Sequence, residues 1–349
     1  MINKIFIFIF LLPAICASQS LTGRVIDKLT QQPLETTAVY FDNTTIGTTT
    51  NSKGEFTIYY TDAVQSTLVI SYLGYEKVLI SDFRNRNNML IELIEADNTL
   101  DEVYIEYDDG LTKRQKLKLF RREFLGISKF GKSCKILNEK DLELKYDKQN
   151  KALYASSKVP IMVINKALKY EVAFDIIDFE VNFRYVDPKT RIFNVNSVTY
   201  LGTSFYKDII SGKKKKAIKE REIVYKGSVQ HFMRSLFNEN LKEEGYWIFY
   251  EKFRVNEWSY FTIEPVIDSD FKKVTLSDEV SILFNKEIQS ELQLDIDEFF
   301  IDTYGNYTPI IGLYFSGAMG SQRVGDTLPS DYGFSEGIKQ KTQNESSGF

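Results

Sequence analysis

Asn51-Ser52-Lys53-Gly54-Glu55-Phe56-Thr57-Ile58-Tyr59-Tyr60 and Leu68-Val69-Ile70-Ser71-Tyr72 are the stretches that decide the fold of the first part of the chain. Side chains alternate with a period of two along a strand, so Phe56, Ile58 and Tyr60 share one face, as do Leu68, Ile70 and Tyr72. Asn51, Ser52, Lys53 and Gly54 supply turn chemistry, and Gly54 suits a position of positive φ, which a residue without Cβ adopts freely. Working outward, Gly23-Arg24-Val25-Ile26-Asp27 reads as an earlier strand with Val25 on its buried side. Short alternating runs with turns between them predict a small β-sandwich over residues 19–95.

Gly23 to Asp27, Pro33-Leu34, Ala38-Val39, Gly47 to Phe56 and Leu68 to Tyr75 occur in this order. Together they resemble the carboxypeptidase-D regulatory-like domain. The resemblance implies a transthyretin-like β-sandwich, common at the N-terminus of bacterial envelope proteins, TonB-dependent receptors among them. It also implies a non-catalytic accessory, so no peptidase activity follows from the family's name.

Ahead of the sandwich, Lys4 precedes the apolar run Ile5 to Leu12, followed by Pro13 and the small residues Ala14, Ala17 and Ser18. This is the pattern of a secretory signal, expected over residues 1–18. The run falls short of the ~20 apolar residues that span a bilayer, so no transmembrane segment is expected after cleavage. Ile15 is too bulky for the residue before a lipid-modified Cys16, and the mature chain is expected to start at Gln19 without lipid. Cys134 is then the only cysteine, which rules out an intramolecular disulfide, and its apolar setting with Ile136 reads as core. The expected location is the periplasm or outer envelope of a Gram-negative bacterium.

A length of 349 residues and 43% hydrophobic content suit two domains with real cores, and a net charge of −4 gives no sign of a nucleic-acid partner. The predicted fold class is mainly β: the sandwich, a linker over 96–111, an α+β, strand-rich domain with about two helices over 112–320, and a polar tail over 321–349. Thr112 and Gln115 form a capping box ahead of a helix over 113–125, in which Leu117, Phe120 and Phe124 recur at helical spacing. Its basic opposite side reads as a solvated face.

From Tyr170 the apolar residues alternate through Val172, Phe174 and Ile176, then change parity at Ile177 and continue through Phe179, Val181, Phe183 and Tyr185. One flat strand cannot bury both sets, so a β-bulge or break near Ile176-Ile177 is required. Asp187-Pro188-Lys189-Thr190 turns the chain, and Ile192 to Leu201 returns as a partner strand. Ser211-Gly212-Lys213-Lys214-Lys215-Lys216 reads as a solvated loop. Ser228 caps a second helix that buries Val229, Phe232, Met233, Leu236, Phe237 and Leu241 and ends at Gly245, followed by a strand over 246–250. The charges, the helices and the polar last segment argue against an outer-membrane barrel.

A wider resemblance, to an uncharacterised family of exported bacterial carboxypeptidase-like regulatory domain-containing proteins, rests on several elements. They are Phe124 to Asn138, Val159-Pro160-Ile161, Tyr225-Lys226-Gly227-Ser228 with His231-Phe232-Met233-Arg234, and Leu328 to Tyr332. The element Asn165-Lys166-Ala167-Leu168-Lys169-Tyr170 also belongs to the set, with Lys169 where that family often has Gly. The resemblance implies no activity.

The chemistry in the sequence is thin. Gly126-Ile127-Ser128-Lys129-Phe130-Gly131-Lys132-Ser133 matches the P-loop pattern, but a helix precedes it and a strand follows, the reverse of the order that presents helix N-terminal amides to phosphate. One histidine and one mature cysteine cannot build a multi-histidine zinc site, and no Gly-x-Ser-x-Gly elbow occurs. Asp295, Asp297, Glu298 and Asp302 cluster, as a carboxylate-based glycan hydrolase would need, yet their alternation with Leu292, Leu294 and Ile296 reads as the wet face of a strand. No catalytic residue, cofactor or metal is expected. The expected function is that of a non-enzymatic envelope module binding a protein or glycan; a hydrolase, or an accessory to transport or secretion, is the alternative. Tyr225, His231 and Arg234 are the candidate partner surface, with His231 opposite the apolar face of its helix.

Overall fold

The computed structural model describes residues 18–334 apart from 62–65, 87, 97–109, 213 and 268. The expected leader and Cys16 lie outside the described residues. The chain is mainly β, and its described residues form five sheets and four helices arranged around three hydrophobic cores.

The first core belongs to a sandwich of β1 (Ser18–Asp27), β2 (Ala38–Phe41), β3 (Gly47–Thr49), β4 (Glu55–Thr61), β5 (Leu68–Ser71), β6 (Val78–Ile80) and β7 (Met89–Leu93). One sheet has the order β4-β1-β7 and the other β3-β2-β5-β6. Phe56, Ile58, Tyr60, Leu68 and Ile70 point inward as the period of two requires. Gly54 has φ +75, and a Cβ there would run into the Val25 carbonyl. Val69 and Tyr40 lie on the opposite face of their sheet but are also buried. Phe205, from the next part of the chain, covers that face, its ring 5.2 Å from that of Tyr40.

The second core lies under α1 (Lys113–Leu125) and a six-stranded sheet. Its strands are β8 (Cys134–Ile136), β9 (Leu142–Asp147), β10 (Ala152–Ser157), β11 (Ile161–Asn165), β12 (Tyr170–Asp187) and β13 (Ile192–Asp208). The capping box forms: Thr112 Oγ1 accepts from the Gln115 amide at 3.3 Å and Gln115 Oε1 from the Thr112 amide at 2.9 Å. β12 and β13 make one long antiparallel hairpin. Its register slips between Ile176 and Asp178, leaving Ile177 as an extra residue that is 66% exposed. The bulge therefore sits where the parity changes, and Val172, Phe174, Phe179 and Val181 all enter one core.

The lysine run does not stay a loop. Lys214, Lys215 and Lys216 open α2 (Lys214–Tyr225), which buries Ala217, Arg221 and Val224 at helical spacing. An arginine in the middle of the buried stripe conceals that spacing in the sequence. Arg221 donates to the Leu168 and Lys169 carbonyls and to Asp208, and its guanidinium lies 3.7 Å from the Tyr170 ring centre.

The third core contains α3 (Val229–Phe237), which Ser228 caps by accepting from the His231 amide at 3.1 Å. This helix ends at Phe237 with Asn238 as its C-cap, earlier than the expected Gly245; Leu241 is buried from a turn. Around it stand β14 (Tyr246–Tyr250), β15 (Phe253–Val255), β16 (Phe261–Pro265), β17 (Lys272–Leu276), β18 (Val280–Phe284), β19 (Ile288–Leu294), β20 (Phe299–Ile301), β21 (Tyr307–Thr308), β22 (Leu313–Ser316) and α4 (Gly317–Gly320). They form a five-stranded sheet, β15-β14-β18-β19-β22, and a four-stranded one, β16-β17-β20-β21. Among the described residues the α+β region over 112–320 thus has two cores.

Residues 321–334, expected within a polar tail, form a strap across all three bodies. Val324 and Leu328 enter the second core, the Ser330 amide donates to the Asn43 carbonyl of the sandwich at 2.6 Å, and Asp331 accepts from the Thr45 amide at 2.9 Å. Polarity misled the expectation, because Asp326, Ser330 and Asp331 are buried with hydrogen-bond partners instead of solvated.

Candidate functional site

His231 and Arg234 do not form a surface. Every residue from His231 to Leu236 is buried, since α3 packs on the third core on one side and under the strap on the other. His231 is 2% exposed. Its Nδ1 accepts from the Gly227 amide at 3.1 Å and hydrogen-bonds Tyr246 Oη at 2.8 Å, while Nε2 lies 3.0 Å from Glu244. That pattern fits a neutral ring with its proton on Nε2, and burial pushes its pKa down to about 4. Arg234, 7% exposed, donates to the carbonyls of Tyr304 (2.9 Å), Ser330 (2.8 Å) and Tyr332 (3.0 Å) and to Tyr225 Oη (3.3 Å). Among the described residues it forms no ion pair; main-chain oxygens hold it. The half-buried Tyr225 ring packs at a tilt against those of His231 and Tyr332. The three residues are brought together, as a clamp that fixes the strap.

The P-loop look-alike is also spoken for. Gly126 caps α1 with φ +93, Gly131 to Ser133 make a 3-10 turn and β8 follows. Ser128 Oγ accepts from the amides of Phe130 and Gly131, both at 3.0 Å, and donates to Asp326. The amides of Lys132 and Ser133 donate to carbonyls within the loop, so the four amides of residues 130–133 are engaged within the loop itself and not turned toward a phosphate.

Among the clustered carboxylates, Asp295, Asp297 and Glu298 are exposed whereas Asp302 is fully buried, accepting from the amides of Tyr304 and Asn306 and from Asn306 Nδ2. Burial raises the Asp302 pKa. Its lone pairs organise a turn, so it is not poised against a second carboxyl group. Among the described residues no group of three His, Cys, Asp or Glu side chains could hold a metal ion. Cys134 is half-buried, and burial pushes its thiol up to about 12.

A cleft of about 1560 Å³ opens where the three bodies meet, a place sequence reasoning did not find. The sandwich contributes Asp42, Asn43 and Arg84; β13 contributes Val198 to Gly202; the third body contributes Tyr307 and Ile310 to Phe315. Ile310, Ile311 and Tyr314 are 57%, 71% and 51% exposed and give this cleft an apolar rim. Asp42, whose carboxyl burial raises to about 6, accepts from the Ser204 amide at 2.7 Å and ties the sandwich to β13. No single segment signals the cleft, because its walls come from parts of the chain that belong to three different cores.

Among the described residues no helix is long and apolar enough to cross a membrane. No curated protein matches the chain. The family model of the CarboxypepD_reg-like domain matches residues 21–105, so the N-terminal sandwich is a CarboxypepD_reg-like domain, a non-catalytic module of regulatory or binding type.

Proposed function

We propose that the protein is an exported, non-catalytic module of the cell envelope, and that it holds a partner in the cleft between its three bodies. The observation that carries this reading is the rim formed by Ile310, Ile311 and Tyr314. These three large side chains line the cleft and are more than half exposed, and exposed apolar surface marks interaction sites. The CarboxypepD_reg-like domain supports it as a module of binding type. The leader-like run ahead of the sandwich supports the location.

The test places a charge on the rim. Immobilised wild-type protein and the Ile311→Asp variant are offered the same solubilised envelope extract and the same glycan array. Ile311 packs against no core, so the variant should melt at the wild-type temperature within surface-substitution limits and lose the specifically retained partner. Equal retention by both proteins refutes the cleft as the binding site.

A further inference from the structure

We propose that the cleft takes an extended polypeptide segment of another protein, which adds as a strand to the free edge of β13. The inference rests on the reading of the cleft as the binding site and names its ligand class.

Among the described residues β12 is the one named strand paired with β13. On its other side the direction of its backbone groups is fixed by what they bond. The Ser204 amide donates to Asp42, the Ser204 carbonyl accepts from the Asn43 amide at 2.7 Å, and the Tyr206 amide donates to the Thr44 carbonyl at 2.9 Å. Even-numbered residues therefore face away from β12. The extra residue at Ile177 belongs to β12, so β13 keeps its phase through Gly202, Tyr200 and Val198. The neighbour across β12 agrees, since the Phe183 amide turns the other way, to the Lys151 carbonyl. Val198, Tyr200 and Gly202 thus present amides and carbonyls into the cleft at strand spacing, and among the described residues none of these groups has a protein partner.

The sandwich shows what this edge accepts. Its segment 42–44 already lies beside residues 204–206 as a short parallel strand, with a bridge between Thr44 and Phe205. The open stretch continues that interface without a break, over about 13 Å at ~3.3 Å per residue. Donors and acceptors repeating at this interval complement another backbone, as in β-strand addition, and an unprotected edge is otherwise a liability that proteins cover. Ile310, Ile311 and Tyr314 across the cleft would receive alternate apolar side chains of the added strand.

The probe is a displayed library of random twelve-residue peptides panned on the full chain, followed by anisotropy titration and hydrogen exchange. Enriched peptides should alternate apolar residues without central proline and should protect the amides of Val198, Tyr200 and Gly202. Val198→Pro removes one outward donor at a position where an edge strand tolerates proline, and should weaken binding at least tenfold. Val198→Ala keeps the donor and should change it less than twofold. The exchange readout uses wild-type protein and stands even if the proline variant misfolds. Peptides that bind and are lost with Ile311→Asp, while the three amides stay unprotected, would leave the cleft reading intact and overturn strand addition. A panning that enriches nothing, a glycan retained in place of peptide, or self-association abolished by Val198→Pro would each overturn it as well; binding untouched by Ile311→Asp would remove both readings.

Discussion

Replacing Arg234 with Met should unfasten the strap. Methionine keeps most of the stem volume, so the change isolates the guanidinium from the packing of its carbons. Three carbonyl oxygens, of Tyr304, Ser330 and Tyr332, lose a charged donor. Hydrogen bonds to charged groups contribute about 1.5–3 kcal/mol each, and a buried acceptor left unpaired costs about 1–3 kcal/mol. Ser330 and Tyr332 lie on the strap and regain water if it lifts, whereas the Tyr304 residue is held in the sandwich core and its carbonyl stays dry. The net destabilisation should therefore be about 3 kcal/mol, well short of the sum of three bonds. Urea unfolding measures the loss, and native-state hydrogen exchange locates it. The amides of Ser330 and Thr45, which bridge strap and sandwich, should exchange faster, with those of β12 unchanged. A loss below 1 kcal/mol with undiminished protection at Ser330 would refute the clamp.

His231 makes stability depend on pH. Its folded pKa of about 4 lies below the ordinary 6.5, so between these values the unfolded chain binds the proton first and stability falls as pH drops. Asp42, raised to about 6, acts in the opposite sense, gaining stability as pH falls through 6, so the two are separated by comparison with His231→Gln. The advantage of wild type over that variant should shrink by about 3 kcal/mol from pH 7 to pH 4, and a constant difference in urea titrations would contradict the neutral ring. Lys169 has φ +57, the left-handed region, so Lys169→Gly should raise stability by about 0.5–1 kcal/mol in thermal melts; a decrease would mean that the side chain outweighs the strain. A Cβ on Gly47 would come within 2.7 Å of the Phe205 ring. Gly47→Val should accordingly separate the sandwich from β13, seen as a larger radius in small-angle scattering and faster exchange of the Asn43 amide, and an unchanged radius would count against it.

The legibility of the sequence follows the range of the forces involved. The sandwich could be read because its alternation and its Asn51 to Gly54 turn are local. The bulge at Ile177 was equally local, a parity change within one strand. The left-handed backbone angle at Lys169, by contrast, is displayed only by the structure. α2 was missed because Arg221 occupies a core position, its charge answered by the carbonyls of Leu168 and Lys169 and by Asp208. His231 and Arg234 were placed outward for a related reason: what buries them includes a strap about a hundred residues further along the chain. The strap itself looked solvated, since Asp326, Ser330 and Asp331 carry no sign of the partners that dry them.

The strap also sets an order of events. The bonds from Asp331 to Thr45 and from Ser330 to Asn43 join residues 286 and 287 positions apart, nearly the full span of the described chain. Closing so long a loop is slow relative to forming hairpins and helices. During synthesis the sandwich emerges first, with its local pairs complete, while the segment that locks it arrives last. The face of Tyr40 and Val69 stays bare only until Phe205 of β13 packs on it, well before residue 330 is made. A chain stalled before residue 330 would therefore have that face covered yet lack the bonds of Ser330 and Asp331 to the sandwich, and the final few residues of the strap act as the latch on a door that β13 has already closed.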